Sequence, residues 1–170
     1  MRHLVDDVRT FMLAGQPERV SWEVARPTPT PEEAAVLREA GAACVEAARG
    51  LRAPGATSAG LGGSLLLEEL GETLVAMASE DLIETADGLA DLVYVAVWTA
   101  VAHGIPLARV WDVVQASNLA KFQRCPTCFG TGCGACHRSG RVAVRDAAGK
   151  VLKPEGWAPP DVASALRGDP

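Results

Sequence analysis

The sequence predicts an all-α fold, an antiparallel helix bundle followed by a small zinc-ribbon-like module at the carboxyl end. Three observations carry this. Ala, Leu and Val dominate a hydrophobic content of 48%, while aromatic residues are sparse at 5%. Apolar residues recur at helical spacing, and no β pattern of useful length precedes residue 140. Four of the five cysteines fall within residues 125–136, in two closely spaced pairs.

A chain of 170 residues suits one domain with a small appendage. The expected boundaries are 1–122 for the helical domain, 123–153 for the cysteine module and 154–170 for a Pro-rich extended tail. The net charge of −5 hides an asymmetry. Residues 1–120 carry 8 basic and 17 acidic side chains, whereas residues 121–153 carry 7 basic and 1 acidic. No basic amino-terminal start leads into a long apolar run, and no uncharged apolar stretch reaches the ~18 residues needed to span a bilayer. The expectation is a cytoplasmic protein without a membrane partner.

The elements follow in order. Residues 4–14 form a short amphipathic helix with Val5, Val8, Phe11 and Met12 on one side, ended by Gly15. Pro27, Pro29 and Pro31 mark an extended connector. Thr30 is the expected N-cap of a second helix, with Pro31 at its first position and Glu32 and Glu33 in its first turn; Gly50 closes it. Cys44 lies within that helix and reads as a small buried apolar residue. The Gly-rich run 53–63 reads as a mobile loop. It lacks the Gly-Lys-Ser/Thr ending of a phosphate loop, and no strand precedes it. Ser64 is the expected cap of a third helix, Asp81 to His103 forms a fourth, and His103-Gly104-Ile105-Pro106 stops it. His103 reads as a helix-end residue satisfied by backbone, and Tyr94 as a core residue with a satisfied hydroxyl. A last helix runs from Leu107 to about Phe122.

The third and fourth helices carry the chemistry. Glu68, Glu69 and Glu72 share one helical face, and Glu84, Asp87 and Asp91 repeat the pattern at i, i+3 and i+7. If the two helices pack antiparallel, the acidic faces meet. That many carboxylates repel one another, and a divalent cation relieves the conflict. Oxygen donors without Cys or His suit Mg²⁺ or Mn²⁺. An acidic run at helical spacing more commonly forms a solvated face. Against that, no Lys or Arg occurs between Arg52 and Arg109 to balance such a surface, and the second acidic face sits in a strongly apolar helix.

This combination, EExxE followed by ExxD, resembles the all-α nucleoside triphosphate pyrophosphohydrolases of the MazG-like superfamily. That group includes dimeric dUTPases and phosphoribosyl-ATP pyrophosphohydrolases. The run from Glu84 to Gly104-Ile105-Pro106, and then Ser117-Asn118-Leu119-Ala120-Lys121-Phe122, is similar to the phosphoribosyl-ATP pyrophosphohydrolase-like branch. The resemblance covers residues 64–122 well and the first helix loosely. It implies Mg²⁺-dependent (or Mn²⁺-dependent) cleavage between the α and β phosphates of a nucleoside triphosphate, giving a monophosphate and pyrophosphate, in a homodimer or higher homo-oligomer. It implies metal ligation by Glu69, Glu72, Glu84 and Asp87, with Asp91 as a further ligand or a residue supporting the ligands. Glu68 becomes the residue that orients or deprotonates the attacking water, and Asn118 and Lys121 resemble positions that contact nucleotide and phosphate. One departure is the additional helix 31–50 and Gly-rich run before the first acidic helix.

Cys125, Cys128, Cys133 and Cys136 form two CxxC knuckles, each able to present two thiolates to a tetrahedral Zn²⁺. The unit resembles the CxxCxGxG repeats of DnaJ-type zinc domains. Cys133-Gly134-Ala135-Cys136-His137 also fits a haem-attachment pattern, which requires export. A structural zinc is the favoured reading. Residues 141–152 alternate and predict a hairpin with an Ala-Gly turn. The basic balance suits phosphate or nucleic acid, but without an aromatic stacking platform nucleic acid is the less favoured partner. The rival to the enzyme is a non-catalytic zinc-binding interaction module on a helical scaffold.

Overall fold

The computed structural model describes residues 2–147 and 150–168. Among these the chain is all-α, with six helices and one two-stranded antiparallel sheet. It divides into two compact units, residues 24–107 and residues 1–23 with 108–170.

The first unit holds helices α2 (Pro31–Leu51), α3 (Ser58–Ala78) and α4 (Leu82–Ala102). α2 starts with a capping box. The Thr30 hydroxyl accepts from the Glu33 amide at 3.2 Å, and the Glu33 carboxylate accepts from the Thr30 amide at 2.8 Å. The start of α3 corrects the expectation of a loop through residue 63. Thr57 is its N-cap, accepting from the Gly60 amide at 3.2 Å, so residues 58–63 of the Gly-rich run are helical. Glycine costs about 1 kcal/mol in a helix relative to alanine, and packing offsets it here. A β-carbon at Gly62 would lie 3.0 Å from the Thr99 hydroxyl, and one at Gly63 would lie 3.4 Å from Leu51. Ser64 is therefore not a cap. It is fully buried, donates to the Ala48 carbonyl at 2.9 Å and accepts from Arg52 Nε at 3.1 Å, tying α3 to the end of α2.

Small residues set the helix spacing throughout this unit. A β-carbon at Gly41 would sit 2.7 Å from the Gly71 carbonyl oxygen, and one at Gly71 would sit 2.8 Å from that of Gly41. α2 and α3 thus touch backbone to backbone. Cys44 is half-buried beside Gly71. On the other side Gly62 meets Thr99 while Gly88 meets Thr73. Moving up α3 corresponds to moving down α4, so the two run antiparallel. Asp81 caps α4 through the amides of Ile83 and Glu84, and His103 at its end bonds the Thr99 carbonyl through Nδ1 at 2.8 Å.

α4 leaves much apolar surface uncovered. Ile83, Tyr94 and Val101 are 78%, 72% and 73% exposed. Tyr94 is thus a surface residue and not the core residue the sequence suggested. α4 is also the one described helix with the length and mean hydropathy (1.2) to cross a bilayer. Its three carboxylates oppose that, each costing about 3 kcal/mol at mid-membrane.

In the second unit, α1 (Arg2–Gly15) and α5 (Leu107–Leu119) are tied through Asp7. Trp111 Nε1 donates to its carboxylate at 2.8 Å and Gln115 to its carbonyl at 2.9 Å. Phe11 and Phe122 pack at a tilt of 55° with ring centroids 5.0 Å apart. Strands β1 (Gln123–Arg124) and β2 (Arg141–Val142) bracket the cysteines, pairing Gln123 with Val142 and Arg124 with Arg141. The predicted hairpin 141–152 is reduced to a single bridge, Arg145 to Val151, because β2 takes β1 as its ladder partner. Its expected Ala148-Gly149 turn lies outside the described residues. Two arginines join the module to the helices: Arg141 donates to the Leu119 and Phe122 carbonyls at 3.1 and 3.4 Å, and Arg145 to that of Gly15.

The segment after Pro154, expected to be extended, instead ends in helix α6 (Val162–Arg167). Asp161 caps α6 by accepting from the Ser164 amide at 3.0 Å. Trp157 Nε1 donates to the Ser117 carbonyl at 3.0 Å, and Ser117 returns a hydroxyl bond to Ala158 at 3.1 Å. Sequence reading missed this docking because one tryptophan and one buried serine, not a repeating pattern, supply it.

Candidate metal and active site

The acidic residues of α3 and α4 meet where Thr73 packs against Gly88. Thr73 is buried, and its hydroxyl donates back to the Glu69 carbonyl at 2.7 Å. No side chain separates the helices at Gly88. The antiparallel register therefore sets Glu69 and Glu72 against the turns of α4 that carry Asp87 and Asp91. The electrostatics agree. Burial pushes the Glu69 carboxyl above its ordinary range, and the charges of Asp91, Glu72, Glu68 and Asp87 push it further. Four of the other five predicted carboxylates thus act on Glu69. Glu84 lies nearer the start of α4 and is not among the charges acting on Glu69.

Exposure grades across the cluster. Glu68 and Glu69 are half-buried, whereas Glu72, Glu84, Asp87 and Asp91 are exposed. The donors are all carboxylate oxygens, with one half-buried member, Glu69, destabilised by its neighbours. That is the chemistry a hard divalent cation relieves, so the residues fit Mg²⁺ or Mn²⁺. The carboxylates do not share a common point as tightly as the cysteines do. Among the described residues, only Cys125, Cys128, Cys133 and Cys136 have their ligand atoms all within 4.8 Å of one another.

Arg52 is the neighbour of the acidic cluster that sequence reading passed over. Its guanidinium pairs with the Glu68 carboxylate while its Nε donates to Ser64. The Arg52 side chain is 45% exposed and that of Glu68 27%, so water screens the pair only in part. The available signal was that Arg52 is the last cation before the acidic helices, although the residues separating it from α3 looked like a loop.

The cysteine module is built by tight turns. The Gly132 amide donates to Cys128 Sγ at 3.2 Å and the Cys133 amide to Cys136 Sγ at 3.3 Å. Gly130 and Gly140 adopt left-handed φ angles of 97° and 70°, and a β-carbon at Gly140 would overlap the Gly130 carbonyl. Cys125 and Cys136 are buried. The thiols of Cys128 and Cys133 are pushed in opposite directions. Burial pushes Cys133 up to about 11. At Cys128 burial acts upward too, but amide donors from Gly130 and Gly132 bring it to about 6. A tetrahedral cation such as zinc suits four sulfurs so placed.

Asn118 and Lys121 stand together at the end of α5, with Lys121 Nζ donating to Asn118 Oδ1 at 2.8 Å. They belong to the unit of residues 1–23 and 108–170, and the carboxylates to that of residues 24–107.

Residues 55–118 match the family model of phosphoribosyl-ATP pyrophosphohydrolase. This pyrophosphohydrolase-like segment covers α3, α4 and nearly all of α5, and it contains all six carboxylates and Asn118. Arg52, Lys121 and the four cysteines lie outside it. No curated protein and no solved structure matches the chain.

Proposed function

We propose that the protein is a nucleotide pyrophosphohydrolase, cleaving a nucleoside triphosphate between its α and β phosphates with Mg²⁺ or Mn²⁺. The observation that carries this is the cluster of Glu68, Glu69, Glu72, Asp87 and Asp91 on facing antiparallel helices, inside the pyrophosphohydrolase-like segment. Glu69, Glu72, Glu84 and Asp87 would hold the cation, with Asp91 as a further ligand or support. Bound there, the cation supplies neutralisation of the triphosphate and of the charge gathering on the leaving pyrophosphate.

The protein's own groups do the rest. Glu68 orients the attacking water and takes its proton, which requires a fixed, ionised carboxylate. Arg52 provides the fixing, and Ser64 fixes Arg52 in turn. Asn118 and Lys121 contact the nucleotide and its phosphates. The uncovered apolar face of α4, with Ile83, Val93, Val97 and Val101, supports a second copy of the chain as its cover. The zinc module is structural, and the site of action is the cytoplasm.

Product analysis tests this reading. Nucleoside triphosphates incubated with the protein and Mg²⁺ are expected to yield monophosphate and pyrophosphate, and nothing when the cation is chelated. Diphosphate and inorganic phosphate would place the cut at the wrong bond. Unchanged substrate across all bases and sugars, from folded, zinc-loaded protein, would favour the interaction-module reading.

A further inference from the structure

Two lysines converge on one tryptophan, beyond the pyrophosphohydrolase-like segment. Lys153 Nζ lies 3.7 Å from the centroid of the Trp157 ring, and Lys121 Nζ lies 5.9 Å from the same centroid. The ring is held rigidly: its Nε1 donates to the Ser117 carbonyl, and its own amide closes a turn on Pro154 at 3.1 Å. Each contact with the ring face stabilises an ammonium through the ring's quadrupole. The two ammonium groups thus share one ring. Among the described residues neither is paired with a carboxylate, and Glu155, two residues from Lys153, is no exception. Lys121 bonds Asn118 Oδ1, which leaves the Asn118 amide N–H groups as further donors.

Two point charges and an amide donor, without a counter-charge, suit phosphate oxygens. We propose that Lys121, Lys153 and Asn118 form a binding site for an oligophosphate chain, with Trp157 as the post that holds both ammonium groups. In taking that chain to be the nucleotide's, the inference rests on the function proposed above. A single-stranded nucleic acid is disfavoured because Lys153 already covers the Trp157 ring and leaves no free stacking platform on that face. The tail from Lys153 to Ala158 thereby becomes part of the substrate machinery, although it follows the zinc module in the chain.

The test is calorimetric titration of the full-length, zinc-loaded protein with tripolyphosphate, comparing wild type, Lys153→Gln and Lys153→Arg. Lys153 is exposed, so both variants should fold and melt as wild type. Lys153→Gln is expected to weaken binding by about tenfold, the loss of one charge-assisted contact, while Lys153→Arg retains it. Equal affinity in wild type and Lys153→Gln overturns the site, as does no binding by wild type, or displacement of tripolyphosphate by oligothymidylate at far lower concentration. Weakened binding in Lys153→Gln upholds the site even in a protein that hydrolyses no nucleotide, in which case only the proposed activity falls. Normal turnover with unaltered binding in Lys153→Gln removes the site and leaves the activity standing.

Discussion

Gly88 of α4 lies directly against Thr73 of α3, so closely that a β-carbon at position 88 would overlap the threonine hydroxyl. That contact sets the helix separation where the carboxylates face one another. Gly88→Ala is expected to destabilise the fold by about 1–3 kcal/mol, the usual cost of overpacking. It should also weaken divalent-cation binding by forcing the acidic turns apart. Gly50→Ala is the control, since nothing lies within 4 Å of a β-carbon there. It should stabilise by about 0.5–1 kcal/mol. Urea denaturation of both variants checks the pair.

The Glu69 carboxyl makes stability depend on pH and on divalent cations. Its pKa is raised above 4.5 in the fold, so the folded state holds that proton more tightly than the unfolded chain does. The destabilisation is therefore fully present above the raised pKa and vanishes as pH falls below the unfolded value. At pH 7 without divalent cation, Glu69→Gln is expected to melt higher than wild type. Added Mg²⁺ or Mn²⁺ should raise the wild-type Tm and barely move that of the variant. Thermal melts with and without the cation decide this.

Ser64 and Arg52 should separate structural from catalytic effects. Ser64→Ala removes the bond to the Ala48 carbonyl and strands Arg52 Nε, costing about 1–3 kcal/mol of stability. Arg52→Gln releases Glu68 and should lower kcat by about tenfold or more through loss of positioning, with KM changed little. Steady-state kinetics on a good substrate would show the split.

Cys128→Ser should lose the bound zinc and loosen the joint that Arg141 makes with the end of α5. Metal analysis is expected to find one zinc per wild-type chain and none in the variant. Zinc holds the thiolate forms, so acidification should release it from the wild type before the helices melt, and the amide donors that lower the Cys128 thiol's pKa move that release toward more acidic pH.

The sequence made the helices of the body legible because capping chemistry marks their ends. Thr30-Pro31 with Glu33, and Asp81 with its following amides, are local signals. The start of α3 was not legible. Gly60, Gly62 and Gly63 argue for a loop by propensity, and only the partner helix α4 reveals that Gly62 serves close packing, against Thr99. The carboxylate cluster was readable from its spacing. Arg52 was not, since its partner Glu68 lies beyond that same misread run. Tyr94 misled because α4 is apolar on more faces than α3 can cover. Trp157 in the tail gave no periodic signal at all.

The proposed activity depends on the carboxylates of α3 and α4 holding the cation that drives phosphoanhydride cleavage. The measurement that tests it most directly is pyrophosphate release with Mg²⁺ or Mn²⁺, across canonical and modified nucleoside triphosphates and phosphoribosyl-ATP, by wild type and Glu72→Gln. Glu72 is exposed, so the substitution should leave the helical content intact. Wild type is expected to release pyrophosphate with a clear substrate preference, and the variant none. Equal release by the two proteins would contradict the proposed metal site.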